Sequence, residues 1–247
     1  MIGKSRSLPR RSLRRSLRLF CGFLAERSDP ETFYTALAED TCEILSAFVD
    51  FSRSSVLDIG GGPGYFAEAA SKRGARTITV DCSVQELSLH GRQPTLAVLG
   101  DGIALPIKDD SFDLVHTSNV LEHVPSVSDF LDETIRVTKS SGIIFVSFTV
   151  WLSLWGGHET SPWHLLGGER AARRYHRKHG KPPKNRFQES LFPVYISDFE
   201  RLVKNRPNVS ILESFPRYYP HWASFLARLP LMREFATWNY AAILSKA

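Results

Sequence analysis

From Ser54 onward, short apolar runs alternate with stretches that have a helical period. Buried strands of a parallel sheet are short, apolar and joined by crossover helices, so this alternation predicts an α/β fold. In such a sheet, a ligand binds beyond the carboxyl ends of the strands, near the point where the strand order reverses. We predict helices over Tyr65–Lys72, Val84–Leu89, Val127–Thr138 and Ser197–Lys204. We predict strands near Ser55–Ile59, Arg76–Asp81, Thr95–Leu99, Phe112–Thr117, Ile143–Thr149, Val209–Ser214 and Thr237–Leu244.

A glycine-rich turn, in VLDIGGGPGYFAEAA, separates the first predicted strand from the first predicted helix. Glycine adopts positive φ angles and lets a ligand approach the backbone closely, because it has no Cβ atom. A dinucleotide fingerprint requires glycine at the sixth position from Gly60, where this chain has Tyr65, and a phosphate loop requires Gly-Lys-Ser/Thr at its end. The pattern that remains is Asp-x-Gly-x-Gly-x-Gly, formed by Asp58, Gly60, Gly62 and Gly64.

Polar residues also follow the next three predicted strands. Asp81 closes the second strand, where a carboxylate accepts hydrogen bonds from both ribose hydroxyls. Asp101 follows the third strand, and SNVLEHV follows the fourth. With the glycine turn, this ordered set resembles the class I S-adenosylmethionine-dependent methyltransferases, specifically the type-11 group that includes quinone-biosynthesis-like enzymes. The resemblance covers roughly Ser54 to Phe148.

The resemblance implies a fold, a cofactor and a reaction. The fold is the Rossmann-like class I methyltransferase fold, a mostly parallel seven-stranded sheet with helices on both faces. The cofactor is S-adenosylmethionine, and Asp101 contacts its adenine amine. The sulfonium methyl is already activated, so in-line transfer mainly requires an acceptor held close to it. The implied cofactor-binding residues are Asp58, Gly60, Gly62, Gly64, Asp81, Cys82, Asp101, Gly102, Ser118 and Asn119.

The acceptor is expected to be a small molecule or lipid-like, and two segments are expected to surround it. Residues 151–195 are predicted to form a substrate-side insertion, and the aromatic segment 215–231 a cover over the pocket. His158 and His164 of the insertion, and His123 of LEHV, are the candidate catalytic residues if the acceptor must lose a proton. The alternatives are a loop pinned by tryptophans, and packing or capping roles for His123.

No metal site is predicted. The insertion reads His158-Glu159 with His164 five residues beyond Glu159, which differs from the helical His-Glu-x-x-His zinc motif.

Two segments carry the basic charge of the chain. Met1 to Ala25 has seven Lys or Arg, Arg170 to Arg186 has eight, and neither has an acid; the rest of the chain has 16 bases and 26 acids. This distribution favours local anionic contacts over a uniformly nucleic-acid-binding surface. Two alternatives stay open: an RNA methyltransferase that uses residues 170–186, and a protein that binds the cofactor without catalysis. SNVL stands where enzymes that methylate base amines usually have Asn/Asp-Pro-Pro-Tyr, so nucleic acid is disfavoured.

Residues 1–50 are predicted to form a basic amphipathic helix and a cap helix ahead of the methyltransferase domain, residues 51–247. Leu13, Leu17, Phe20 and Leu24 have helical spacing, and Asp29 can cap a helix that begins at Pro30. Two interpretations remain for the basic helix. In one, it is a surface helix packed on the domain with its basic face in water; in the other, residues 9–25 lie on a membrane surface.

The cysteines and the apolar runs indicate the compartment. Cys21, Cys42 and Cys82 have spacings that suit neither a disulfide framework nor a zinc cluster, so we expect reduced thiols. The longest apolar stretch, Ile143 to Trp155, is shorter than the roughly 20 residues that span a bilayer. The expected location is therefore the cytoplasm, with membrane association at the surface. The oligomeric state is not predicted.

Overall fold

A single seven-stranded sheet organises the chain in a computed structural model that describes residues 9–247. The strand order is β3-β2-β1-β4-β5-β7-β6. The five strands from β3 to β5 pair in parallel, and β7 runs antiparallel to both β5 and β6. The strands are β1 Ser55–Ile59, β2 Arg76–Asp81, β3 Ala97–Leu99, β4 Phe112–Ser118, β5 Thr138–Thr149, β6 Val209–Pro216 and β7 Asn239–Lys246.

Helices cover both faces of this sheet, which confirms the predicted fold class. On one face, Cys42 and Leu45 of α2 pack with Phe66 of α3. On the other face, Phe130 of α5 packs with Phe199 of α7. The α-helices are α1 Leu13–Ala25, α2 Pro30–Leu45, α3 Tyr65–Ser71, α4 Val84–Leu87, α5 Val127–Val137, α6 Gly168–His179, α7 Ile196–Lys204 and α8 Met232–Ala236. Short 3-10 helices occur at Phe51–Arg53, Leu89–Gly91, Leu121–His123, His158–Thr160, Trp163–Leu166 and His221–Arg228.

Several element boundaries differ from the predicted ones. Strand β5 begins at Thr138, directly after α5, and pairs there with Phe112 before the register shifts. Strand β6 continues to Pro216 because Phe215 and Pro216 still pair with β7. Helix α6 and the 3-10 helices of the insertion had no predicted counterpart.

The second N-terminal helix, α2, begins where the sequence predicts. Asp29 accepts a hydrogen bond from the backbone N–H of Thr32, 3.2 Å away, with Pro30 in the first helical position. Ser12 caps α1 in the same way, through the N–H of Arg15. The part of the predicted basic segment that precedes Pro9 lies outside the described residues.

Helix α1 packs on the domain, but most of its predicted apolar stripe faces outward. Leu13, Leu17 and Leu24 are each more than half exposed. The packed face consists of Leu19, Phe23 and one residue of the stripe, Phe20, which contact an aromatic cluster around Trp238 and Tyr218. The predicted helix is confirmed, and the contacts of Phe20 and Phe23 with Trp238 determine which side of it packs on the domain.

Candidate functional site

The glycine turn follows β1 at the carboxyl edge of the sheet, and all three motif glycines have positive φ: +67° at Gly60, +50° at Gly62 and +82° at Gly64. An added Cβ atom at Gly60 would lie 2.3 Å from Val120 Cγ2, and one at Gly64 would lie 2.8 Å from Pro94. At Gly62 the only close atom is the Glu86 carbonyl oxygen, at 3.6 Å. Packing therefore requires glycine at two positions, while Gly62 has room for a side chain and is favoured there by its positive φ alone.

Asp81 lies at the end of β2 beside this turn. Its carboxylate accepts hydrogen bonds from the backbone N–H groups of Gly62 and Ser83, each at 3.1 Å. Burial raises the pKa of this carboxyl, and the two backbone donors oppose that rise. Each carboxylate oxygen has further acceptor capacity, so the oriented carboxylate suits the two hydroxyls of a ribose.

Asp58 has a different environment, because it is buried within β1. His116 Nδ1 lies 2.7 Å from Asp58 Oδ1, and the His116 ring stacks on Phe66 with the ring centroids 3.6 Å apart. Burial lowers the pKa of His116, although Asp58 favours its charged form. An added Cβ at Gly61 would lie 2.3 Å from Asp58 Oδ2. Asp58 therefore packs directly against the glycine turn at Gly61.

The remaining predicted cofactor residues follow β2, β3 and β4. Cys82 and Asp101 are exposed, and Asp101 accepts a hydrogen bond from the backbone N–H of Ile103. Gly102 is required by packing, since an added Cβ would lie 2.6 Å from the Phe130 ring. Asn119 has φ +57° and its side-chain oxygen accepts a hydrogen bond from Asn239. The structure therefore places these residues along one edge of the sheet.

Ser118, at the end of β4, contacts a residue that the sequence analysis missed. Arg217 is only 2% exposed, and its guanidinium donates to the hydroxyls of Ser118, Ser147 and Thr41. Burial lowers the pKa of Arg217. Within residues 9–247, it forms no salt bridge. No local pattern in FPRYYP distinguishes this arginine from a surface residue.

Three side chains converge just beyond β4: Glu122, His123 and His158. One ligand atom from each, a carboxylate oxygen or a ring nitrogen, lies within 4.8 Å of the other two. The His123 and His158 ring centroids are 5.2 Å apart, with the rings edge to face. Burial lowers the pKa of His158 to about 4, against the opposing effect of Glu122, so its imidazole is neutral at pH 7. Below we call these three residues the acceptor end.

His164 is not brought into the acceptor end. It is buried, its Nε2 lies 2.8 Å from the Trp151 carbonyl oxygen, and its Nδ1 lies 3.4 Å from Ser161 Oγ. An added Cβ at Gly157 would lie 2.4 Å from its ring. These contacts hold the insertion together, and both ring nitrogens already have neighbours.

The insertion 151–195 lies beside both the acceptor end and the glycine turn. His123 Nδ1 lies 2.7 Å from the Ser190 carbonyl oxygen, which ties the insertion to the residues after β4. Lys184 lies 3.4 Å from Glu86, whose carbonyl oxygen faces Gly62. The insertion is therefore positioned to limit how a ligand reaches the acceptor end and the glycine turn.

The aromatic segment 215–231 does not form one continuous cover. Phe215 is fully buried because β6 extends to Pro216, and Tyr218 packs against Phe23 and Trp238. Trp222 is 69% exposed and Phe225 is also exposed. The first half of the segment therefore belongs to the core, and the second half faces solvent.

Within residues 9–247, no helix has the length and apolar character that crossing a membrane requires.

Proteins of known sequence resemble this chain over nearly its whole length. A family model described as a methyltransferase domain matches residues 57–146. An uncharacterized methyltransferase of Mycobacteroides abscessus is 42% identical over 248 residues, 95% of each chain. Another, of Mycobacterium tuberculosis, is 42% identical over 246 residues, 96% of each chain. The similarity therefore extends through the insertion.

Solved structures share the fold. An S-adenosylmethionine-dependent methyltransferase from Mesorhizobium loti superposes with a TM-score of 0.58 at 19% identity, covering 85% of this chain and 98% of its own. One from Archaeoglobus fulgidus gives a TM-score of 0.51 at 18% identity, covering 93% and 94%.

Proposed function

We propose, given that this chain belongs to the type-11 group of class I S-adenosylmethionine-dependent methyltransferases, that it methylates a lipid-like acceptor at an anionic membrane surface. The cofactor supplies an activated methyl group. In this proposal, Gly62 and Asp81 hold the cofactor. The acceptor end orients the acceptor and acts on its proton. The observation that carries the choice of acceptor is an exposed apolar surface beside the site.

This outer apolar surface is formed by α1 and by residues 221–235. Leu231 is 79% exposed, and its neighbours Met232 and Phe235 are each more than half exposed. Its members are Leu13, Leu17, Leu24, Trp222, Phe225, Leu229, Leu231, Met232 and Phe235. Large apolar side chains concentrated in two adjacent segments indicate an interaction site, unlike single apolar residues scattered over a surface.

The two segments are in direct contact. The His221 backbone N–H donates to the Arg11 carbonyl oxygen at 2.7 Å, and Arg11 Nη2 donates to Ser224 Oγ at 2.7 Å. Phe23 also packs against Trp155 of the insertion, with ring centroids 6.0 Å apart. Since β6 ends at Pro216 and β7 begins at Asn239, the segment between them lies at the carboxyl edge of the parallel strands. The outer apolar surface therefore adjoins the edge where the cofactor is assigned.

The charge around this surface complements an anionic membrane. Arg10, Arg14 and Arg18 of the α1 segment are exposed, as is Arg228. The one acid between Pro216 and Trp238 is Glu234, which is buried and accepts hydrogen bonds from the N–H groups of Ile196 and Ser197. Apolar side chains with flanking arginines and few exposed acids are typical of proteins that bind anionic bilayers peripherally.

The test is co-sedimentation of the full chain with vesicles of equal parts phosphatidylglycerol and phosphatidylcholine. We expect binding at low salt that weakens as salt rises. Trp222→Asp with Phe225→Asp should reduce partitioning at least about tenfold, because two large apolar side chains lose their burial in the bilayer. Both side chains are exposed, so the variant keeps its fold.

The matched control is Leu96→Asp with Leu212→Asp, which places the same charge at exposed leucines outside the outer apolar surface. The control should bind vesicles as the parent chain does. Deletion of α1 is a poorer test, because it would uncover Trp238 and Tyr218. Equal sedimentation of all three proteins, or no binding to anionic vesicles at low salt, contradicts the membrane proposal.

A further inference from the structure

We propose that Glu122, His123 and His158 bind a divalent transition-metal ion. Their ligand atoms already lie within 4.8 Å of one another. In a tetrahedral site with ligand bonds of about 2.1 Å, the ligand atoms are about 3.4 Å apart. Small side-chain rotations therefore close the cluster around an ion.

Glu122 offers one free oxygen in a buried position. The residue is 2% exposed, and its Oε1 accepts a hydrogen bond from the Thr149 backbone N–H at 3.0 Å. Its Oε2 is buried with no hydrogen-bond partner among the described residues. A buried carboxylate oxygen without a partner is costly, and a cation beside it removes that cost. The backbone N–H meanwhile fixes the orientation of the carboxylate, as outer contacts of metal ligands commonly do.

Each of the two histidines has a ring nitrogen that is free to bind an ion. His123 Nδ1 donates to the Ser190 carbonyl oxygen at 2.7 Å, which leaves Nε2 with a lone pair. A ligating histidine usually has this arrangement, with its other nitrogen held by a carbonyl or a carboxylate. His158 Nε2 is buried, and none of the residues in 9–247 partners it. Two unpartnered atoms therefore belong to the same three-residue cluster.

The ligand set selects the class of ion. Two imidazoles with one carboxylate suit zinc, iron, cobalt or nickel, whereas magnesium and calcium prefer all-oxygen sites. Three protein ligands also leave a coordination position open, which is the pattern of catalytic rather than structural sites. The open position suits an oxygen of the acceptor.

The use of this ion in catalysis rests on the proposed methyl transfer, whereas its binding does not. A bound divalent ion lowers the pKa of a coordinated hydroxyl, so the acceptor hydroxyl releases its proton to solvent. The oxygen lone pair then forms a bond to the methyl carbon, and the breaking carbon–sulfur bond leaves its electron pair on sulfur. The products are a methyl ether and neutral S-adenosylhomocysteine. In this scheme the two histidines act as ligands, and neither takes the proton itself.

The test is metal binding by the full chain after chelator treatment and dialysis, with Co²⁺ as a spectroscopic probe and Zn²⁺ for stoichiometry. We expect one ion per chain and visible Co²⁺ absorption typical of a low-coordinate nitrogen and oxygen site. Glu122→Gln and His158→Gln should each weaken binding at least about 100-fold. Glu122→Gln keeps an oxygen for the Thr149 N–H, and His158→Gln is a second variant should the first fail to fold.

The matched control is His176→Gln with His179→Gln, which removes two exposed histidines at the end of α6. The control should keep the tight ion, because a pair of surface histidines binds metals only weakly. Calorimetry with S-adenosylmethionine on each variant shows whether the cofactor site is intact, independently of the metal. A parent chain that binds no more Co²⁺ than Glu122→Gln, or a control that loses the tight ion, overturns the proposal.

Discussion

The cofactor-binding edge and the acceptor end of this molecule are assembled differently, although they adjoin. Gly62 and Asp81 are positioned by tight turns and backbone N–H groups at the ends of parallel strands. Glu122, His123 and His158 meet only because the insertion folds back onto the residues after β4. Backbone geometry tolerates few substitutions, whereas a loop of this kind accommodates different acceptors on the same cofactor platform.

The largest expected effect is a difference in stability between two alanine variants, one at a glycine of the glycine turn and one at a glycine of the insertion. Gly60→Ala meets Val120 Cγ2 at 2.3 Å and must adopt φ +67°. The left-handed backbone costs about 1–2 kcal/mol and overpacking about 1–3 kcal/mol, so we expect a loss of roughly 2–5 kcal/mol in the free energy of unfolding. Gly180→Ala, at the residue that follows α6 in the insertion, has φ +70° and open space, and should lose only the backbone cost. Urea denaturation measures both, and equal losses would remove the packing argument for the glycine turn.

A smaller effect is expected at Asp81. Asp81→Asn keeps one oxygen acceptor but replaces the other with an amide that cannot accept from a ribose hydroxyl. A lost hydrogen bond in a buried site costs about 1–3 kcal/mol, so the affinity for S-adenosylmethionine should fall about tenfold to 100-fold in calorimetry. Asp198→Asn, on the surface of α7, is the control and should bind as the parent does. An unchanged affinity in Asp81→Asn would mean that the turn glycines alone recognise the cofactor.

The smallest expected effect is a pH dependence of stability from the buried His116. Its pKa lies below the ordinary value mainly because of burial, so the unfolded chain takes up a proton at a higher pH, near 6.5, than the folded chain does. The free energy of unfolding should therefore decrease as pH falls, by up to about 1.4 kcal/mol per pH unit. His158 contributes in the same direction.

Urea denaturation between pH 7 and pH 5 isolates the contribution of His116. His116→Gln should show a shallower decrease than the parent, and the exposed His176→Gln should follow the parent. A slope in His116→Gln that matches the parent would show that folding does not lower the pKa of His116.

The sequence predicted the sheet and the cofactor-binding edge because their signals are local. Short apolar runs located β1, β2 and β4 to within a residue, and the glycine turn and Asp81 lie in fixed positions relative to those strands. Close packing is a second reason for glycine in this turn, because a side chain at Gly60 would meet Val120 and one at Gly64 would meet Pro94. Sequence spacing does not distinguish this packing requirement from ligand binding. Which glycine faces a ligand is a tertiary property.

The acceptor end was not predictable as a unit, because its members come from different segments. His123 and His158 were each identified as candidates, but Glu122 was not, and the motif considered for His158 joined it to Glu159 and His164 instead of Glu122 and His123. Arg217 gave no local signal, since its hydroxyl partners come from α2, β4 and β5. The period of α1 predicted a helix but not its rotation, which depends on Trp238 at the other end of the chain.

The most direct test of the proposed lipid methylation uses methyl-labelled S-adenosylmethionine with the full chain, anionic vesicles and a total lipid extract. After phase separation, we predict label in the organic phase, in an amount that falls in Trp222→Asp/Phe225→Asp and remains in Leu96→Asp/Leu212→Asp. Label confined to a water-soluble product, transferred equally by both variants, would contradict the account.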